Sequence, residues 1–125
     1  MPITIQAAPA HGWLRTRATG RVSYAEIAAH LDEEERARAG DEPELFDATG
    51  ATTDITAAQV RALVRRADAM LRRGGVGPTA IVADDAVFFG MARMYELLAE
   101  LDGIAVAVFR DVAAAERWLA ERRAA

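Results

Sequence analysis

Residues 80–96 read Ala-Ile-Val-Ala-Asp-Asp-Ala-Val-Phe-Phe-Gly-Met-Ala-Arg-Met-Tyr-Glu. A short apolar run ends in two aspartates and passes directly into a segment with apolar residues at helical spacing. A buried strand handing over to an amphipathic helix is the repeating unit of an α/β sheet. Ligands of open α/β sheets usually sit beyond the carboxyl ends of the strands. Here that end carries acid, aromatic and arginine side chains.

Working outward, the same alternation recurs. Ile3 to Ala8 reads as a strand closed by a Pro9–Gly12 turn. Trp13 to Thr19 alternates, with Trp13, Arg15, Arg17 and Thr19 on one face and Leu14, Thr16 and Ala18 on the other, so the two segments form an antiparallel hairpin. Ser23-Tyr-Ala-Glu26 has the spacing of a capping box and opens a helix whose apolar stripe is Tyr24, Ile27, Ala28 and Leu31. The acidic run Asp32–Glu35 within it reads as a solvated face, or as a surface for a cationic partner. Gly40–Pro43 ends that segment, and Glu44–Thr49 is a short central strand followed by a loop over 50–55. A second capping box, Thr56-Ala-Ala-Gln59, starts a helix striped by Val60, Leu63, Val64, Ala67 and Leu71 and broken at Gly74–Pro78. After Thr79–Ala83 comes the helix over 86–101, with Val87, Met91, Met94, Leu98 and Leu101 as its expected buried stripe. Ile104–Phe109 is the last strand, and Asp111 caps a final helix carrying Val112, Ala115, Trp118 and Leu119. The order ββαβαβαβα predicts an α/β fold with a mixed, mostly parallel five-stranded sheet, built as one domain over residues 1–125.

Composition narrows the chemistry. The chain of 125 residues has no cysteine, which excludes disulfides, thiolate metal sites and thiol nucleophiles. Its fifteen basic residues are all arginine, so Schiff-base lysine chemistry is absent. A net charge of −4 opposes non-specific nucleic-acid binding. With two histidines, His11 and His30, in different elements, we expect no metal and no cofactor. We read His30 as a partly exposed structural residue and His11 as a turn residue. Neither a leader-like N-terminus nor a long apolar run is visible, so the expected location is the cytoplasm.

Several residues stand out. Asp47, Asp84 and Asp111 fall at strand ends and could gather at one sheet edge as oxygen ligands for magnesium. The same pattern is explained by Asp85 and Asp111 capping helices, with Asp47 partly solvated. A phospho-receiver is rejected, because the Asp84–Asp85 pair comes late and no lysine follows the last strand. The loop from Asp47 to Ile55, with Thr49 and a glycine before a helix, could dock an anion but is no phosphate-binding Walker motif. Phe88, Phe89, Arg93 and Tyr95 do not all fit one stripe; together they suit packing, a partner contact or a small ligand. Gly90 inside that helix suggests close packing.

The run Asp84-Asp-Ala-Val-Phe-Phe-Gly-Met-Ala-Arg-Met-Tyr-Glu96, with Leu45-Phe-Asp47, Val106-Ala-Val-Phe-Arg-Asp111 and Glu116-Arg-Trp-Leu119, resembles the SpoIIAA-like family of small bacterial STAS-like proteins. These are related in fold to anti-sigma-factor antagonists and to lipid-binding CRAL-TRIO domains. The resemblance implies helices packed mainly on one face of the sheet. True antagonists carry a phosphorylatable serine before a helix; this chain offers only Thr52, Thr53 or Thr56 there, where phosphate at a helix start would be electrostatically favoured. The leading expectation is a non-enzymatic STAS-like module that binds a protein partner or itself, as a homodimer, through the Phe89–Arg93–Tyr95 surface. The alternative is a carrier of a small apolar or amphipathic, lipid-like molecule in a pocket bordered by the Thr49 loop and the helix over 86–101. A magnesium-dependent enzyme using Asp47 and Asp84 is the third.

Overall fold

The computed structural model describes residues 3–6, 12–37 and 42–124. The end of the expected first strand, most of the Pro9–Gly12 turn with His11, and the start of the Gly40–Pro43 break lie outside the described residues.

Five strands form one mixed sheet: β1 (Ile3–Gln6), β2 (Leu14–Ala18), β4 (Glu44–Asp47), β6 (Thr79–Val82) and β7 (Val106–Phe109), in the order β1-β2-β4-β6-β7. β1 runs antiparallel to β2, and every other neighbour is parallel. The helices are α1 (Tyr24–Ala37), α2 (Ala57–Arg73), α3 (Ala86–Leu101) and α4 (Val112–Ala124). The expected mixed α/β sheet is present. The expected loop over 50–55 is not wholly a loop: β3 (Arg21–Val22) and β5 (Thr52–Thr53) pair in parallel as a small second sheet. Two residues are too few to show a period, so tertiary pairing alone creates these strands. Among the described residues no helix is long and apolar enough to cross a membrane.

Both expected capping boxes form. The Ser23 N–H donates to Glu26 Oε1 at 2.9 Å while the Glu26 N–H donates to Ser23 Oγ at 3.2 Å. Thr56 and Gln59 repeat this at 2.9 and 3.2 Å. Asp85 and Asp111 accept the Phe88 and Ala114 amides at 3.0 and 2.8 Å, so each is a helix cap.

Adjacent strand residues point to opposite faces. Phe46 and Ile81 pack with Val22, Phe88 and Ala92 on one side, while Leu45, Ala80 and Val82 pack with Trp13, Ala115 and Leu119 on the other. Helices α1, α2 and α3 cover the first face and α4 the second. The connections β2–α1–β4, β4–α2–β6 and β6–α3–β7 all step across the sheet in one direction. With a single crossover hand they must place their helices on one side. Helix α4 has no following strand to reach and folds back over the opposite face.

Two packing expectations change. The fully buried positions of α3 are Phe88, Ala92 and Ala99; of the expected series Met91, Met94 and Leu98 are half-buried, while Val87 and Leu101 are exposed. Gly90 is exposed as well, and an added Cβ would meet nothing within 4 Å, so it is not a close-packing position.

Candidate functional site

Between the sheet and helices α1–α3 lies a cavity of about 80 Å³, roughly two to three times the ~30 Å³ that a water molecule occupies in the liquid. Its wall is mostly apolar: Ile27 and Leu31 from α1, Val60, Leu63 and Met70 from α2, Phe88, Met91 and Ala92 from α3, and Phe46 and Ile81 from the sheet. Tyr95 of α3 and Thr79 of β6 also line it.

Into this wall the chain sets three ionisable side chains. His30 and Glu34, one helical turn apart on α1, present the same face of the helix. Glu44 comes from β4 at a position facing that helix. His30 Nε2 lies 3.1 Å from Glu34 Oε2 and 3.0 Å from Glu44 Oε2. The Thr16 hydroxyl, from β2, donates to the same Glu44 oxygen at 2.5 Å. All four residues are buried; His30 is only 3% exposed. Among the described residues this is the one group of three histidine or carboxylate side chains whose ligand atoms all lie within 4.8 Å of one another. Burial alone would push the imidazole pKa down, but the hydrogen bonds and charges of Glu34 and Glu44 more than reverse that and raise it to about 10. His30 is therefore an imidazolium at neutral pH. Among the described residues its Nδ1 is buried without a hydrogen-bond partner, and its ring meets Phe46 edge-on at 5.4 Å.

This overturns the expectation that His30 is partly exposed. Of the Asp32–Glu35 run, Asp32 and Glu33 are exposed as expected and Glu34 is the exception. Glu34 points inward, while Asp32 and Glu35 pair with Arg66 at 2.7 Å and with Arg73 at 2.7 and 2.8 Å on α2. The cationic partner of that run is the chain itself. A signal was present in the sequence: extending the α1 stripe of Ile27 and Leu31 by helical spacing brings positions 30 and 34 onto the buried face.

Asp47 is buried, not partly solvated, and sits on the α4 face of β4. Its carboxylate lies 2.7 Å from Arg17 and 3.6 Å from Arg15, and accepts the Thr49 amide at 3.0 Å and hydroxyl at 2.5 Å. Burial pushes its pKa up, but the Thr49 hydrogen bonds and Arg17 hold it below the usual carboxylate range. Asp84 accepts the Gly50 amide at 2.8 Å, where a left-handed glycine (φ 80°) turns the chain after β4. Asp47, Asp84 and Asp111 thus occupy separate capping or ion-pair roles and do not form a three-ligand group.

The α3 candidates divide between two environments. Phe88 and Tyr95 line the cavity. Phe89 carries the Arg110 guanidinium over its ring at 4.0 Å. Arg93 pairs with Glu96 at 2.7 Å, and Glu96 also accepts the Val108 amide on the open edge of β7 at 2.9 Å. Of the threonines, Thr52 is exposed. Thr53 is buried and donates to the Val22 carbonyl at 2.7 Å, while Thr56 accepts the Gln59 amide. Comparison with protein-family models, curated proteins and solved structures finds no match to this chain.

Proposed function

We propose that this chain is a non-enzymatic, STAS-like binding protein that holds a small, largely apolar molecule between its sheet and helices α1–α3. The observation that carries this reading is the cavity itself: apolar walls with one buried polar cluster at a defined position, the usual composition of a small-molecule site. The ligand has an apolar body that fills this space beside the buried His30–Glu34–Glu44 cluster. The cavity supports the carrier reading over protein interaction, with the ligand lying deeper than the Thr49 loop in this reading. The cytoplasm is the proposed location.

Amide NMR titration with a short aliphatic ketone tests this. Shifts confined to residues around Ala92, Phe88 and His30 are expected, and Ala92→Leu, which fills the space, should abolish them while the fold persists. Saturable shifts that survive Ala92→Leu would remove the cavity as the binding place.

A second reading, self-association through α3, has its own support: Leu97 and Leu101 are 52% and 82% exposed on that helix. A Leu97→Glu/Leu101→Glu double variant should then lower the sedimentation mass of the wild-type protein. A wild-type monomer at high concentration would end this reading.

A further inference from the structure

We propose that His30, Glu34 and Glu44 together bind one divalent transition-metal ion of the zinc class, at the wall of the cavity. The three donors already converge: His30 Nε2 stands 3.1 and 3.0 Å from the two carboxylate oxygens. A tetrahedral ion with bonds of roughly 2.0–2.1 Å holds its ligand atoms about 3.3–3.4 Å apart. The two histidine–carboxylate spacings are within a few tenths of an ångström of that value, and all three ligand atoms lie within 4.8 Å of one another. Two of the donors are fixed one turn apart on α1 and the third on β4, so rigid elements hold the geometry. Thr16 orients Glu44 from behind by donating to its Oε2, as outer hydrogen bonds commonly orient ligating carboxylates.

One imidazole nitrogen and two carboxylate oxygens suit zinc, cobalt, iron or manganese better than magnesium or calcium, which favour all-oxygen shells. Three protein ligands leave a fourth position, and the cavity supplies the space for it, as at open zinc sites. With Nε2 on the metal its proton is released to solvent, and Nδ1 keeps the remaining N–H. This departs from the expectation of no metal, which counted histidines without seeing that one histidine and two carboxylates meet.

The test uses the full chain stripped with chelator, with metal alone and no cavity ligand. Calorimetry and native mass spectrometry with Zn²⁺ should show one ion per chain, and Co²⁺ should give visible absorption of low-coordinate character. His30→Gln and Glu34→Gln should each weaken binding at least 100-fold, more than the roughly 10–100-fold typical of outer-shell changes; Thr16→Val should fall in that outer-shell range. His11→Gln should change nothing. If His30→Gln does not fold, Glu34→Gln decides, since it keeps the His30–Glu44 contact. No uptake at millimolar metal, or uptake lost in His11→Gln and kept in Glu34→Gln, overturns the proposal. Because metal is added alone, failure of the apolar-ligand reading would leave a positive result standing.

Discussion

Strand β4 carries two buried carboxylates three residues apart, Glu44 and Asp47, and they face opposite sides of the sheet. Asp47 is saturated. Two arginines reach it from the solvent edge, with side chains 27% and 40% exposed, and Thr49 supplies both an amide and a hydroxyl. Glu44 is held in the apolar interior by Thr16 and His30, and both Glu44 and His30 line a cavity. A saturated buried carboxylate fixes a fold. One set into the wall of a cavity is where a ligand can act.

The comparison makes its largest prediction for stability. Glu44→Ala removes one partner of a fully buried pair and leaves the imidazolium with Glu34 alone, which should cost about 3–5 kcal/mol. Asp47→Ala also loses charged hydrogen bonds, but Arg15 and Arg17 can turn to water, so the expected loss is roughly 1.5–3 kcal/mol. Urea denaturation of both variants measures the difference. A costlier Asp47→Ala would break the distinction between the two faces.

Protonation separates the faces next. The His30 pKa is raised from 6.5 to about 10, so the folded chain binds more protons than the unfolded chain between those values. Its contribution to stability is fully present below pH 6.5 and is lost as pH rises toward 10, with a slope approaching about 1.4 kcal/mol per pH unit. The groups facing it are Glu34 from its own helix, Glu44 and Thr16 from the sheet, and Tyr95 from α3, which lines the same cavity. Asp47 behaves oppositely. Its lowered pKa stabilises the fold above the usual value of 3.8 and is lost as pH falls below it. Denaturation midpoints of metal-free protein across pH, compared with His30→Gln and Asp47→Asn, should show the alkaline loss vanish in the first variant and the acid loss shrink in the second. An alkaline limb unchanged in His30→Gln would detach His30 from it.

Local chemistry was legible in the sequence wherever it is set by near neighbours. The Ser23–Glu26 and Thr56–Gln59 boxes, the Asp85 and Asp111 caps, and the alternation of β2 are all decided within four residues. The cavity and its polar trio are not, because Glu44 meets His30 and Thr16 only through the register of β2, β4 and α1. Glu34 is hidden inside an acidic run whose other members are exposed or paired with α2. Helix α3 misled for a different reason. Its residues are apolar nearly all round, so the series through Val87 and the series through Phe88 both have helical spacing, and only the sheet chooses between them.

The smallest prediction concerns that outer side of α3. Gly90 is exposed, and a Cβ there would meet no atom within 4 Å. In monomeric protein, Gly90→Ala should therefore stabilise the fold by about 0.5–1 kcal/mol through helix propensity alone. The same substitution separates the two sides of the helix. If α3 works only through its inner face, toward the cavity, Gly90→Ala should leave ketone binding and sedimentation mass unchanged. If a second copy packs against Leu97 and Leu101 and reaches Gly90, the added methyl should weaken that association while stabilising the monomer. Thermal unfolding at two protein concentrations distinguishes these outcomes: a gain independent of concentration excludes association through Gly90, and a gain seen only at low concentration supports a second copy packing on that face.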